Sequence, residues 1–436
     1  MSRVVVVGAG VAGLTLAERL LHRKGTKLSL LVLERGSRVG GLARTFRHGD
    51  YLFDIGPHRF HTMDRQVLEY VEEVLEGRSI AIPRASSVYL LGRYYTWPLT
   101  LRTVLRLPLR ALVPSFLDLF RTHRGDVRSF ADHIVNRYGP NLYRFFFSRY
   151  TRKFTGLDAE ELHSDWAEAG VNRAVIDRRV KADSLLSLLG GLLLPRPVST
   201  SFIYPSEGGI QLFSDILAGR IESMGGKVRT CCPAAGVTEE GGRVTGVRLE
   251  SGETLDADEV YWSAPVSLLY PESGLRFINT VLYCVGLAEP SGNHYQWCYF
   301  GQEDIEFSRT TVPSNFSPKA VPQGKDSITA EVTCGTDSDT WRDPEIMTSR
   351  IVADLERVGA ADPASVEFVR PLRISNTYPV YDLDYRRNLE ALNPPEGLHL
   401  LGRGGSFWYN NMDHSIGQAM AMAGGGETRR DFWIES

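Results

Sequence analysis

Arg3-Val4-Val5-Val6-Val7-Gly8-Ala9-Gly10-Val11-Ala12-Gly13 stands at the start of the chain, and its reading decides the fold. Four consecutive valines make a short apolar run of the kind a fully buried strand requires. The run feeds directly into the G-x-G-x-x-G pattern. Gly8 permits the tight turn, Gly10 lets a pyrophosphate approach the backbone, and Gly13 allows a helix to pack closely on the strand. Residues 14–22 continue as that helix, whose N-terminus offers unpaired N–H groups and the positive end of its dipole to phosphates. A second apolar run, residues 28–33, ends at Glu34, 21 residues past Gly13, where an acidic side chain accepts hydrogen bonds from an adenosine ribose. A lone glycine pattern is only a tight turn; strand, turn, helix, second strand and terminal Glu in register point to dinucleotide binding.

The 436 residues exceed one ordinary core, so two or three domains sharing a cleft are expected. A net charge of −3 gives no reason to expect nucleic acid, and any anion binding falls to local basic clusters. The five cysteines are scattered, without a C-x-x-C pair or metal spacing, as buried thiols of a reducing compartment would be. The longest apolar run, residues 185–195, is broken by Gly190-Gly191 and too short to span a bilayer. Immediate entry into a strand leaves no room for a signal peptide. A soluble cytoplasmic protein with a small-molecule partner, and no integral membrane segment, is the expectation.

After Glu34, the stretch Arg35 to Arg44 carries Gly40-Gly41-Leu42, suited to a loop closing over a diphosphate with Arg44 as charge partner. Residues 51–62 form a short strand running into Gly56-Pro57-His58-Arg59-Phe60-His61-Thr62. Two histidines three apart fit a cofactor-facing loop, plain packing or, lacking a third ligand nearby, a metal site. Residues 99–196 read mainly as helices, with Arg102, Arg106 and Arg110 on one face. The aromatic and basic stretch 145–153 suits a solvated helix face or a membrane-surface contact. Strand signals return at 201–204, 227–230, 244–249 and 260–264. Further antiparallel-style strands follow at 275–287, 296–300, 308–312 and 327–333, then a helix at 344–358 and strands at 365–372 and 377–380. The chain closes with a strand at 398–401, a loop from Gly402 to His414 and a helix at 415–423. That second strand-loop-helix unit offers another electropositive site.

The order of these motifs carries a resemblance. The early glycine turn, Gly40-Gly41, Gly-Pro-His-Arg-Phe-His-Thr, Tyr204-Pro205-x-x-Gly208-Gly209, Tyr378-Pro379-Val380 and Gly402-Arg403 through Asn411-Met412-Asp413-His414 resemble the flavin-dependent UDP-galactopyranose mutases and their relatives in the amine-oxidase-like FAD superfamily. The resemblance implies an α/β fold: a Rossmann-like FAD-binding domain (1–98, 201–265 and 386–436) with an interleaved helical domain (99–200) and an antiparallel-sheet substrate domain (266–385). It implies FAD rather than NAD, held extended by Gly8, Gly10, Gly13, Glu34, Arg35, Gly41, Leu42, Arg44, Val237, Gly402, Arg403 and Met412, with the flavin ring near His58 and His61. Catalytic roles fall on His58, His61, Arg309 and Tyr378. Substrate contacts fall on Arg173, Arg309, Tyr378, Tyr409 and Asn410.

In that family reduced flavin N5 attacks the anomeric carbon of a nucleotide-linked sugar, and the sugar recloses in the other ring size. Such chemistry needs a positioned nucleophile and cations for the leaving diphosphate. The chain departs from the family where Thr155 stands in place of a Trp, and Asn410 and Asn411 in place of Tyr and Asp, as in a divergent relative. Two activities therefore stay open: a nucleotide-sugar pyranose/furanose mutase, and an FAD-dependent oxidoreductase of the amine-oxidase or desaturase type, with 185–194 lining an apolar tunnel. A non-catalytic FAD scaffold is the third reading.

Overall fold

A computed structural model of the chain describes residues 2–97, 113–114, 117–118, 125–167 and 201–426. Arg173, the arginines at 102, 106 and 110, and the apolar run 185–195 lie outside the described residues.

The valine run forms strand Ser2–Val7 at the centre of a five-stranded parallel sheet. Its neighbours are Leu28–Leu33 on one side and Glu259–Trp262 on the other; Lys227–Arg229 and Leu398–Leu400 complete the edges. Val4 to Val7 are all at most 4% exposed, as burial on both faces of a parallel sheet demands. Each such side chain contributes about 1.5–3 kcal/mol to folding. One face is covered by helices Val11–Lys24, Arg65–Leu75, Gln211–Ser223 and Met412–Ala423. The other is covered by the antiparallel strands Ala234–Glu240, Arg243–Leu249 and Thr254–Asp256. The start, middle and end of the chain thus meet in one sheet.

The second sheet has seven strands in the order Val366–Pro379, Phe277–Leu287, Asp326–Cys334, Arg309–Thr311, Trp297–Phe300, Ser86–Leu90 and Arg93–Trp97. All pairings are antiparallel except that of Trp297–Phe300 with Ser86–Leu90. Residues 86–97, grouped by sequence with the first nucleotide-binding segment, therefore extend the second sheet. The stretches 365–372 and 377–380 join into one strand, with Asn376 at φ 54° where the register shifts against Ile278 and Thr280. Helix Phe130–Tyr138, started by a reciprocal Ser129–Asp132 capping box, and helix Ser148–Thr155 stand between the sheets. They share an aromatic core with Trp166, Tyr378, Tyr381, Tyr385 and Phe407.

Candidate active site

At the glycine turn, Gly8 takes φ 100° and its N–H donates to Leu33 O at 2.8 Å. A β-carbon on Gly13 would lie 2.1 Å from Gly8 O, and one on Gly41 would lie 2.9 Å from Gly10 Cα. Only glycine lets helix, turn and the 40–41 loop approach this closely. Gly40 N donates to Ala9 O at 2.7 Å, tying that loop to the turn. The Glu34 carboxylate accepts from Ala9 N at 3.1 Å and Gly36 N at 2.8 Å, so it braces the turn from within. Arg44 Nε donates to Gly41 O at 2.9 Å; burial lowers its pKa while Glu34 opposes the shift. Leu42 sits in the turn beside them. Arg35, by contrast, is exposed and donates to Ser375 Oγ at 2.7 Å, linking this loop to the second sheet. Val237 pairs with Val247 and packs, half-buried, beneath the parallel sheet.

The closing segment reaches the same turn. Gly402 takes φ 69°, and a β-carbon there would fall 2.7 Å from Ala12 Cβ. Residues 402–405 form a short helix where a loop was expected, and the final helix starts at Met412 rather than 415. Asn411 caps it in a reciprocal pair with His414, which accounts for the earlier start. Arg403 is held by Thr377 O at 3.1 Å and by Asn410 O. The Asn410 amide itself donates to Ser415 Oγ at 3.0 Å, so this residue joins the site through its backbone.

Beyond Arg403 several side chains from distant segments converge. Arg309 stands directly opposite Glu331 across two paired strands. Its Nε and one terminal nitrogen donate to the two carboxylate oxygens at 2.7 and 2.6 Å, and that nitrogen also donates to Tyr378 OH at 2.9 Å. Burial opposes the Arg309 charge, but Glu331 outweighs it and pushes the pKa up. Tyr378 packs on Phe154 and Tyr409 at ring distances of 4.9 and 5.0 Å, and the Arg403 guanidinium lies 5.2 Å from Tyr378 and 5.4 Å from Tyr409. Trp166 closes on Tyr409 at 5.4 Å.

His58 is placed among these cations. Burial, then Arg403, Arg309 and Arg59, push its pKa down to about 3, so its imidazole is neutral at neutral pH. His58 Nδ1 is buried without a hydrogen-bond partner among the described residues. Arg59 lies over Trp297 at 4.4 Å and over Phe202 at 4.9 Å. His61 packs edge-on to Phe202 at 5.3 Å, with its pKa lowered by burial and then by Arg59. Among the described residues no cluster of three His, Cys, Asp or Glu side chains is placed to hold a metal.

A family model for flavin-containing amine oxidoreductases matches residues 11–280, more than half of the chain. The chain belongs to the flavin-containing amine oxidoreductase family. It is a flavin-dependent enzyme with FAD as cofactor. Its fold is similar to that of reduced UDP-galactopyranose mutase, with a TM-score of 0.81 at 20% identity over 100% of this chain and 98% of the other. Among curated proteins, this amine oxidoreductase family member is similar to dTDP-fucopyranose mutase of Escherichia coli, 26% identical over 170 residues, 37% of this chain and 44% of that protein. L-amino-acid oxidase of Crotalus adamanteus matches at 45% over 71 residues, 16% of this chain and 13% of the oxidase. The aligned part thus spans less than half the length of either curated relative. Among the described residues, no helix is long and apolar enough to cross a membrane.

The residues present in this flavin-containing amine oxidoreductase fit the cofactor. The glycine-enforced contact brings the 8–13 turn, the 40–41 loop and Gly402 together with no side chain between them, and His58 Nδ1 is a buried polar atom with no hydrogen-bond partner among the described residues. The structure also adds residues that sequence reading did not assign. Arg59 was quoted only as part of a motif; its two aromatic supports come from residues 202 and 297. Glu331 carried no motif, and only the strand register that sets it opposite Arg309 reveals it.

Proposed function

We propose that this flavoenzyme acts on a nucleotide-diphosphate sugar and interconverts its pyranose and furanose forms without net oxidation. The observation that carries this reading is the charge of the site. Arg59, Arg84, Arg309 and Arg403 converge around His58 and Tyr299; Glu331 holds Arg309, and Asp413 is an acidic group facing Arg59. Such a surplus of buried positive charge repels an ammonium substrate and attracts a diphosphate.

In this reading the Gly8–Gly13 turn, Glu34, Arg44 and Val237 hold the adenosine diphosphate half of FAD, and Gly402, Arg403 and Met412 meet its flavin half. Bound by these residues, reduced FAD would supply a nucleophilic nitrogen, which is the chemistry that the mutase reading requires. Arg309, oriented by Glu331, and Tyr378, oriented by Arg309, bind that leaving diphosphate at fixed positions. Arg403, clamped by two backbone carbonyls, adds a second cation over Tyr378 and Tyr409. The neutral His58 neither repels the anion's counter-cations nor donates a full charge. Phe154, Trp166 and Tyr409 exclude water and so protect the activated sugar from hydrolysis. The relatives named as mutases support the reading, and so does the absence of any need for a strong general base.

The test is turnover of UDP- and dTDP-linked hexopyranoses under anaerobic conditions. Product should form only with dithionite-reduced FAD, and the flavin spectrum should be unchanged at the end. A substrate that bleaches oxidised FAD and delivers electrons stoichiometrically to oxygen or a dye would overturn the reading in favour of an oxidoreductase.

A further inference from the structure

Asp165 lies outside the arginine cluster, in the segment that delivers Trp166 to the site. Its Oδ2 accepts from Tyr385 OH and from Arg386 Nε, the latter at 2.6 Å, and His163 Nδ1 lies 3.1 Å from the same oxygen. Tyr385 and Arg386 stand 220 and 221 residues further along the chain, so one carboxylate clasps two remote segments. Backbone doubles the clasp: His163 N donates to Tyr381 O at 2.8 Å, and Leu162 bridges Asp382. Both segments end on Tyr409. Trp166 is 4% exposed and closes on the Tyr409 ring at 5.4 Å. From the other segment, Tyr381 OH accepts from Tyr409 N at 2.8 Å, and the Tyr381 ring stacks on Tyr385 at 4.4 Å. Trp166 and Tyr381 meet edge to face at 6.0 Å. Tyr409 in turn lies 5.0 Å from Tyr378 and 5.4 Å from the Arg403 guanidinium.

The Asp165 side chain is 24% exposed and that of Arg386 44%, where an ion pair adds at most about 1 kcal/mol to folding. The larger consequence of the clasp is geometric, because the ring it fixes carries a site arginine. Resting on the nucleotide-sugar reading, we propose that Asp165 is a positioning residue for the reaction: by clasping Tyr385 and Arg386 it holds Trp166 against Tyr409 and keeps water from the anomeric carbon. An activated sugar is captured by whichever nucleophile is nearest. When the wall shifts, water adds to the anomeric carbon, the bond to the diphosphate oxygen breaks, and free hexose and the nucleoside diphosphate leave with the proton of that water. A displacement of about 1 Å is enough to change such a competition.

The experiment compares wild type with Asp165→Asn and, separately, Tyr385→Phe, which removes one hydroxyl and keeps the ring stacked on Tyr381. The FAD-loaded, dithionite-reduced full chain is given UDP-galactose, and free galactose is counted per isomerised product. Both substitutions are expected to raise that ratio several-fold. A misfolded fraction lowers turnover but leaves the ratio unchanged, so the ratio separates positioning from loss of structure. The second readout is fluorine NMR of the chain labelled with fluorotryptophan, the Trp166 line being assigned by its absence in Trp166→Phe. That line should shift or broaden in both variants before any ligand is added. An unmoved line, or a moved line with an unchanged ratio, overturns the positioning role. If wild type isomerises no nucleotide sugar, the nucleotide-sugar reading falls and the Trp166 line alone decides: moved, it keeps Asp165 as the clasp of Trp166; unmoved, it overturns that as well.

Discussion

The two ends of the cleft bind charge in opposite ways. The glycine-turn end is made of backbone: Gly8, Gly10, Gly13, Gly40, Gly41 and Gly402 bring three loops together, and its cation Arg44 is countered by Glu34. The other end is made of side chains: four arginines from four separate segments, set among aromatic rings, with Glu331 holding Arg309 and Asp413 facing Arg59. The first end is closed on itself by backbone contacts; the second gathers cations from distant segments. A cofactor that stays bound needs shape above all, whereas a charged substrate that comes and goes is better drawn by a standing field.

The sharpest way to break the contrast is Glu331→Gln. Removing one partner of a buried, bidentate pair leaves the Arg309 charge uncompensated, and a loss of about 3 kcal/mol in stability is expected by urea denaturation. A loss below 1 kcal/mol would mean that solvent already screens the pair. Gly13→Ala attacks the other end. A β-carbon 2.1 Å from Gly8 O meets backbone that cannot yield cheaply, so the variant should lose about 2 kcal/mol and be purified largely without flavin absorbance. Retention of full flavin content would show that the turn tolerates a wider approach.

Asp54 ends the strand Tyr51–Asp54 and ties it to residues 45, 204 and 210, and it allows a pH measurement. Its carboxylate accepts from Thr45 Oγ1 and Tyr204 OH, both at 2.6 Å, and from Ile210 N at 3.2 Å. Burial raises its pKa to about 6 despite these bonds. A folded-state pKa above the unfolded value contributes stability that is full below about pH 4 and lost as the pH rises through about 6. The lost amount is on the order of 3 kcal/mol. Stability curves of wild type and Asp54→Asn should therefore differ in slope between pH 4 and 6, the variant lacking that decline. Parallel curves would remove Asp54 from the account. Tyr378→Phe is the mildest probe. It deletes the acceptor for Arg309 but keeps the ring packed on Phe154 and Tyr409, so about 1 kcal/mol of stability is expected to go. Affinity for UDP should fall by a comparable factor, and an unchanged value would separate Tyr378 from the diphosphate.

The parts legible from sequence were those whose demands are local. Val4–Val7 announce a two-sided buried strand, and Gly8 and Gly13 announce a turn that no larger residue tolerates; both were read directly and both stand in the structure. The pairing of 86–97 into the second sheet was not legible. Residues 86–90 and 93–97 share a short turn at Leu91-Gly92, but the choice of partner, Trp297–Phe300, lies some 200 residues away. The last helix began three residues early because Asn411 and His414 cap each other.

By itself, then, the sequence determined the dinucleotide turn and the flavoprotein family, since backbone conformation at glycines is a local property of neighbouring residues. Only the tertiary structure decided the charge of the arginine-rich end. Arg59, Arg84, Arg309 and Arg403 become one cluster through strand register and loop closure, and Glu331 reaches Arg309 only because two strands pair in that register. Electrostatic sums depend on distance in space, which spacing along the chain does not encode.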